Sequence, residues 1–187
     1  MPMPTGISRR LEQCVQHLQA RDYEGSLVDL FPAIDKTAKK RRPKHGVARR
    51  IKTFLEEEEA LISVVATGNI ITNMSVNGIK ITDALYKFGR TPIAHEGELD
   101  PRLQFNASGS IEIGAERWNL PAGYIVGMCV AVVVATENTD EQVSDSLQIT
   151  LGSQSFKVNE LWGQKNLVQG IFCNKFDDQN LFGGTGA

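Results

Sequence analysis

The chain has 187 residues, 41% of them hydrophobic and 22% charged, with a formal net charge of −2. This is the make-up of one globular domain, residues 1–187, large enough to bury a core, and as a whole it does not announce a nucleic-acid binder. Three cysteines lie far apart with no Cys-x-x-Cys, which speaks against a disulfide framework and suits a reducing cytoplasm.

The start of the chain, Met1-Pro2-Met3-Pro4-Thr5-Gly6, lacks the basic-then-apolar pattern of a signal sequence. Ile7, Leu11, Val15 and Leu18 then fall at helical spacing, with Thr5 or Ser8 as the cap. Asp22 caps a second helix carrying Leu27, Leu30, Phe31, Ile34 and Ala38; Pro32 should kink it or mark a break, and Pro43 ends it. A third helix starts near Gly46 and runs into Glu56-Glu57-Glu58-Glu59. The apolar segment Leu61 to Met74 reads as helix on its length, and Asn77-Gly78 as a turn. Thr82 or Asp83 caps a short helix leading to Arg90.

After Asp100-Pro101 the pattern changes. Leu103, Phe105, Ile111 and Ile113 alternate with polar residues around Ser108-Gly109, which predicts a hairpin. Pro121 is placed like a first helical residue, so residues 121–136 read as a helix; their valines make a buried strand the competing reading. The apolar run Ala122 to Ala135 is interrupted by Gly123 and Gly127 and is shorter than the ~20 residues of a membrane span, so it is core and no membrane partner is expected. A second hairpin follows, Leu147 to Leu151 and Phe156 to Val158 about Gly152-Ser153, and then a last helix from Asn159 through Ile171. Residues 176–187 should form a flexible tail.

The most chemical stretch is Arg90-Thr91-Pro92-Ile93-Ala94-His95-Glu96. Arg is a permanent cation suited to phosphate, and His titrates near neutral pH. On a helix the two approach a shared face; if Gly89 to Pro92 is instead a helix end, His95 sits on the following turn. Arg10 and His17 have a similar spacing on the first helix and read more simply as a solvated face.

Asp22-Tyr23-Glu24 opening the second helix, Ala38-Lys39-Lys40 closing it, and Leu85-Tyr86-Lys87-Phe88-Gly89-Arg90-Thr91-Pro92-Ile93-Ala94-His95-Glu96-Gly97 together resemble the HEPN superfamily. Its signature is Arg, four to six residues, then His, and Arg90 and His95 match the shortest form. The resemblance covers roughly the first hundred residues. It implies an N-terminal helical HEPN-like bundle over about 5–100; with the hairpin and helix extension read from the pattern over about 101–175, the chain is expected to be an α+β protein. It departs from the family at Thr91, where Asn, Asp or His is common after the Arg, and at Pro92.

The resemblance further implies a metal-independent endoribonuclease in a toxin or phage-defence setting. A ribose 2′-hydroxyl would attack the adjacent phosphate and leave a 2′,3′-cyclic end. His95 would be the general acid or base, Arg90 would stabilise phosphoryl charge, and Thr91 or Glu96 would orient the imidazole. The implied partners are RNA, a second copy in a homodimer or higher homo-oligomer, and a protein antitoxin; no cofactor is implied.

The basic run holds Lys39, Lys40, Arg41, Arg42, Lys44, Arg49 and Arg50. It reads either as a set of phosphate contacts or as a solvated helix end partly neutralised by Glu56 to Glu59. His17, His45 and His95 show no metal-ligand spacing, and the chain has neither a phosphate loop nor a Gly-x-Ser-x-Gly elbow. The alternatives to the nuclease are a silent HEPN-like module that binds nucleic acid or protein, and a structural oligomeric protein.

Overall fold

The structure is a computed structural model that describes residues 5–183. Local chemistry explains the first helices. Thr5 caps α1 (Gly6–Gln19) by accepting from the Ile7 amide at 3.1 Å, while its own amide donates to Ser8 Oγ at 3.0 Å. Asp22 caps α2 (Tyr23–Arg41) through the Gly25 amide at 2.9 Å, and Pro32 lies inside that helix. The third helix, α3, spans Val47–Thr67 and ends at Gly68, whose φ of +76° closes it.

The helix expected over Leu61 to Met74 forms only as far as Thr67, as the last two turns of α3. Beyond Gly68 the chain turns back along α3, and side chains of that helix hold it. Ser63 Oγ accepts from the Ile71 amide at 2.9 Å and Glu59 from the Asn73 amide at 3.0 Å. A two-strand ribbon follows, β1 (Ser75–Val76) and β2 (Ile79–Lys80), turning on Asn77-Gly78.

The next helical stretch is continuous but changes its winding: α4 (Ile81–Ala84), a π turn (Leu85–Arg90) and α5 (Thr91–Glu96). Pro92 therefore does not end the helix. It lies in the first turn of α5, where its missing N–H is tolerated.

The hairpin expected around Ser108-Gly109 is corrected by the structure. Strands β3 (Leu103–Asn106) and β4 (Glu112–Gly114) do not pair with each other; β5 (Arg117–Pro121) lies between them. It runs parallel to β3, with Leu103 opposite Trp118, and antiparallel to β4, with Ile113 opposite Trp118. Buried Trp118 and Leu120 make β5 the strand with most to gain from the central place. Pro121 is thus the last residue of a strand, not the first of a helix.

The valine-rich run is a helix, α6 (Gly123–Val134), and ten of its twelve residues are buried. It packs on α3 where Gly123 and Gly127 meet the backbone of Ala66 and Ile62; a Cβ at either glycine would press into that backbone. The bundle therefore takes one of its helices from beyond residue 100. One hydrophobic cluster includes Leu27 and Phe54 from the first half and Trp118, Met128 and Phe172 from the second.

The second hairpin forms as the sequence predicts, β6 (Gln148–Leu151) with β7 (Gln154–Lys157), turning at Gly152. The last helix starts later than expected, as α7 (Lys165–Phe176), after a 3-10 turn over Val158–Glu160. Asn159 does not cap it. Its side chain brackets Val143, accepting from the amide and donating to the carbonyl, each at 2.9 Å. The expected flexible tail lies partly outside the described residues, at 184–187; before that, Leu181 and Phe182 pack against the core. Among the described residues no helix is long and apolar enough to cross a membrane.

Candidate functional site

Gly89 sets how the Arg90 helix lies. A Cβ there would come within 3.1 Å of the Phe31 ring and 3.2 Å of Leu103, so the helix rests closely on α2 and β3. This seats Arg90 in a cleft of about 320 Å³, between α1, α2 and α5, with Arg10, Val28, Phe31, Asp35 and Ile93 in its walls.

The acids near that cleft are already engaged. Arg50 takes both oxygens of Asp35 at 2.6 and 2.8 Å, and Arg10 takes Asp29 at 2.6 Å. Arg90 has no hydrogen-bond or ion-pair partner among the described residues. The other half-buried arginines, Arg10, Arg41, Arg42, Arg50 and Arg102, all hold a carboxylate. A guanidinium in such a place presents up to five donors to an incoming anion.

Thr91 faces a different cleft, of about 390 Å³, whose walls include Lys52, Asp83, Tyr86 and Lys87. Its hydroxyl donates to the Tyr86 carbonyl at 3.2 Å. Lys52 lies 2.5 Å from Asp83 and 5.8 Å from the centre of the Tyr86 ring. His95 and Glu96 are exposed and unpartnered among the described residues, so Glu96 is not oriented against the imidazole.

Arg90 and His95 do not share a face of one chain, as the spacing had suggested. At about 100° per residue, five residues turn through roughly 140° from the starting face. His95 is accordingly absent from the walls of the Arg90 cleft. Arg10 and His17 do converge. Asp29, 6% exposed, lies 2.6 Å from Arg10 and 3.6 Å from His17, and Asp22 lies 2.7 Å from the other ring nitrogen of His17. These contacts tie α1 to α2.

The basic run divides in two. Lys40 donates to the Glu137 carbonyl, Asn138 and Glu141, and Arg42 pairs with Glu57. Arg41 holds Glu57, Glu58 and Glu137 and lies 5.0 Å from the Phe54 ring centre. Burial would lower the pKa of Arg41, but Glu137 and Glu58 outweigh it and push it up. Arg50 is likewise raised by its bonds to Asp35. Four of the seven cations are thus tied inside the fold, while Lys39, Lys44 and Arg49 are exposed without such a partner among the described residues.

Sequence reading missed the walls around the motif. Arg10 and Asp35 join Arg90 only because α1 and α2 pack beneath α5, and Lys52 and Tyr86 join Thr91 only through the π turn. No local signal announces either meeting. Among the described residues no group of three or more His, Cys, Asp or Glu side chains is placed to hold a metal ion.

The fold and its cleft define an α+β protein whose helical bundle carries, among the described residues, one half-buried guanidinium that holds no carboxylate. The chain belongs to the Rv1289 family, whose model matches residues 6–181. It is 25% identical over 179 residues to uncharacterised proteins of Mycobacterium tuberculosis strains H37Rv and CDC 1551 and of Mycobacterium bovis, an alignment covering 86% of this chain and 85% of theirs. No solved structure matches the chain.

Proposed function

We propose that this protein acts on RNA as a HEPN-like, metal-independent endoribonuclease, with Arg90 as its phosphate-binding group and His95 as its general acid or base. The observation that carries the reading is the half-buried Arg90, without a counter-ion in a cleft whose carboxylates are held by other arginines. Burying part of a charge without a partner lowers stability, so a site of this kind is favoured when an anion fills it.

In the reaction a ribose 2′-hydroxyl attacks the neighbouring phosphorus, and the 5′-oxygen of the next nucleotide leaves. Arg90 stabilises the charge that builds on the phosphoryl oxygens. His95 takes or gives the proton. Since the two side chains leave one helix on different sides, the complete centre needs two copies, each bringing its α5 to the same phosphate. Exposed Lys39, Lys44 and Arg49 would add longer-range attraction for the backbone, sensitive to salt.

The separation of Arg90 from His95 on one helix favours a second reading, a module that binds RNA through Arg90 and leaves it intact. One experiment separates them: incubation of a mixed pool of structured RNAs in chelator with the native protein, His95→Ala and Arg90→Ala. The nuclease predicts cleavage with cyclic phosphate ends, lost in both variants. The binding module predicts no cleavage but retention of RNA that falls with Arg90→Ala alone. Equal cleavage by all three would remove the motif from the account.

A further inference from the structure

Cys14 on α1 and Cys129 on α6 lie with their sulfur atoms 3.5 Å apart, although 115 residues separate them in sequence. Both are free thiols. Cys14 is fully buried, whereas Cys129 is 9% exposed and forms part of the wall of a pocket of about 190 Å³. Leu11, Val15, Val126, Val130 and Ile149 also line this pocket, and Gln148 brings its single polar side chain. The pocket shares no residue with the Arg90 cleft.

We propose that Cys129 and Cys14 form an oxidisable dithiol, and that the pocket admits an apolar organic hydroperoxide to it. The Cys129 sulfur attacks the terminal oxygen of the hydroperoxide. An S–O bond forms, the O–O bond breaks, and the departing alkoxide takes the thiol proton to become an alcohol. The Cys14 sulfur then attacks the Cys129 sulfenic acid. An S–S bond forms, the S–O bond breaks, and the hydroxide leaves as water with the Cys14 proton. Two thiols and one hydroperoxide thus become one disulfide, one alcohol and one water.

Three observations fix the order and the substrate class. Of the two cysteines only Cys129 lines the pocket, so it meets the oxidant first. Its contact with Cys14, together with burial, pushes the Cys14 thiol up, so Cys14 keeps its proton and acts second. The walls favour an alkyl group over hydrogen peroxide, which would bring two hydroxyls into a space with one polar side chain. A disulfide has its sulfurs about 2.05 Å apart, so the two sulfur atoms must approach by roughly 1.5 Å from their present 3.5 Å.

The test uses the full reduced chain, incubated under native conditions with tert-butyl hydroperoxide or with hydrogen peroxide at equal concentration. Free thiols are then blocked, and intact mass and peptide maps are read. The expected product is lighter by two hydrogen atoms before blocking, carries a Cys14–Cys129 linked peptide and leaves Cys173 blocked as a free thiol. The alkyl reagent should react about tenfold faster or more, the factor set by one unpaired buried hydrogen bond. Cys14→Ser should stop at a sulfenic acid trapped by dimedone on Cys129, and Cys173→Ser should behave as the native chain does. Three intact thiols after treatment, a link through Cys173, or faster oxidation by hydrogen peroxide would each overturn the proposal. The native chain's peptide map decides the matter even if Cys14→Ser fails to fold.

Discussion

Asp100 donates its backbone N–H to the carbonyl of Phe88 at 3.2 Å. In an unbroken α-helix that carbonyl would serve the residue four positions on, which is Pro92 and has no N–H to give. The loop after α5 therefore supplies the bond that the proline withholds. Arg102 strengthens the tie, bonding Asp100 at 2.6 Å and standing 4.3 Å from the centre of the Phe88 ring. The winding that sends Arg90 and Thr91 into different clefts is thus anchored from outside the helix.

Replacing Pro92 with Ala should release this anchor. The new amide competes for the Phe88 carbonyl, and exchange of the Asp100 amide should quicken by about fivefold, corresponding to the ~1 kcal/mol net worth of one hydrogen bond. Hydrogen exchange read by mass spectrometry over residues 97–102 checks it. Unchanged protection there would mean that the π turn does not depend on Pro92.

Arg41 should matter for stability more than for any ligand. Arg41→Ala leaves Glu58, 1% exposed, with Lys165 as its remaining cation, and should lower unfolding free energy by about 3–5 kcal/mol. Lys39→Ala, at an exposed position two residues away, should stay within about 0.5 kcal/mol of the native chain. Urea denaturation of both variants gives the comparison, and equal midpoints would refute it.

Glu141 links acid stability to the start of α1. Burial acts to raise its pKa, but bonds from Thr5, Ser8 and Lys40 win and hold it below the ordinary glutamate value. A carboxyl depressed in the folded state contributes its stability above its unfolded pKa of about 4.3 and loses it as pH falls through the folded value. Glu137, lowered through its bonds to Arg41 against its own burial, acts in the same direction. Denaturation midpoints measured from neutral pH down to about pH 2.5 should fall less steeply for Glu141→Gln than for the native chain. Identical acid limbs would remove Glu141 from this role.

The seam between α3 and α6 should reject even one methyl group. Gly127→Ala places a Cβ against the Ile62 carbonyl, and backbone has little room to yield, so a loss of about 1–3 kcal/mol is expected. Gly170 on α7 has open space around it, and Gly170→Ala should instead gain about 0.5–1 kcal/mol. Chemical denaturation of the pair reads both signs, and a tolerated Gly127→Ala would show that the seam can open.

What the sequence disclosed depended on how far apart the interacting residues lie. The α+β class was legible, as were the Thr5 cap and the β6–β7 hairpin, because the atoms that decide them sit within a few residues. The β3–β5 pairing was not, since Trp118 meets Leu103 from a strand inserted between two segments that alternate correctly on their own. Nor could the run of cations show its partners, as Arg41 meets Glu137 across 96 residues. Arg90 and His95 were found by type and spacing. Their separation around the helix follows from the five-residue offset once the stretch winds as a helix, whereas the cleft that receives Arg90 and not His95 depends on packing against α2.

Because α6 is the helix that covers α3, the bundle has an order of birth. On the ribosome α3 emerges with its Ile62 and Ala66 flank bare, and roughly seventy residues must still be translated before α6 is complete. At ~5–20 residues per second that is an interval of about 3–14 s. For those seconds the nascent chain exposes an apolar surface with nothing to cover it, so chaperone capture should be most frequent while residues 68–134 are being made.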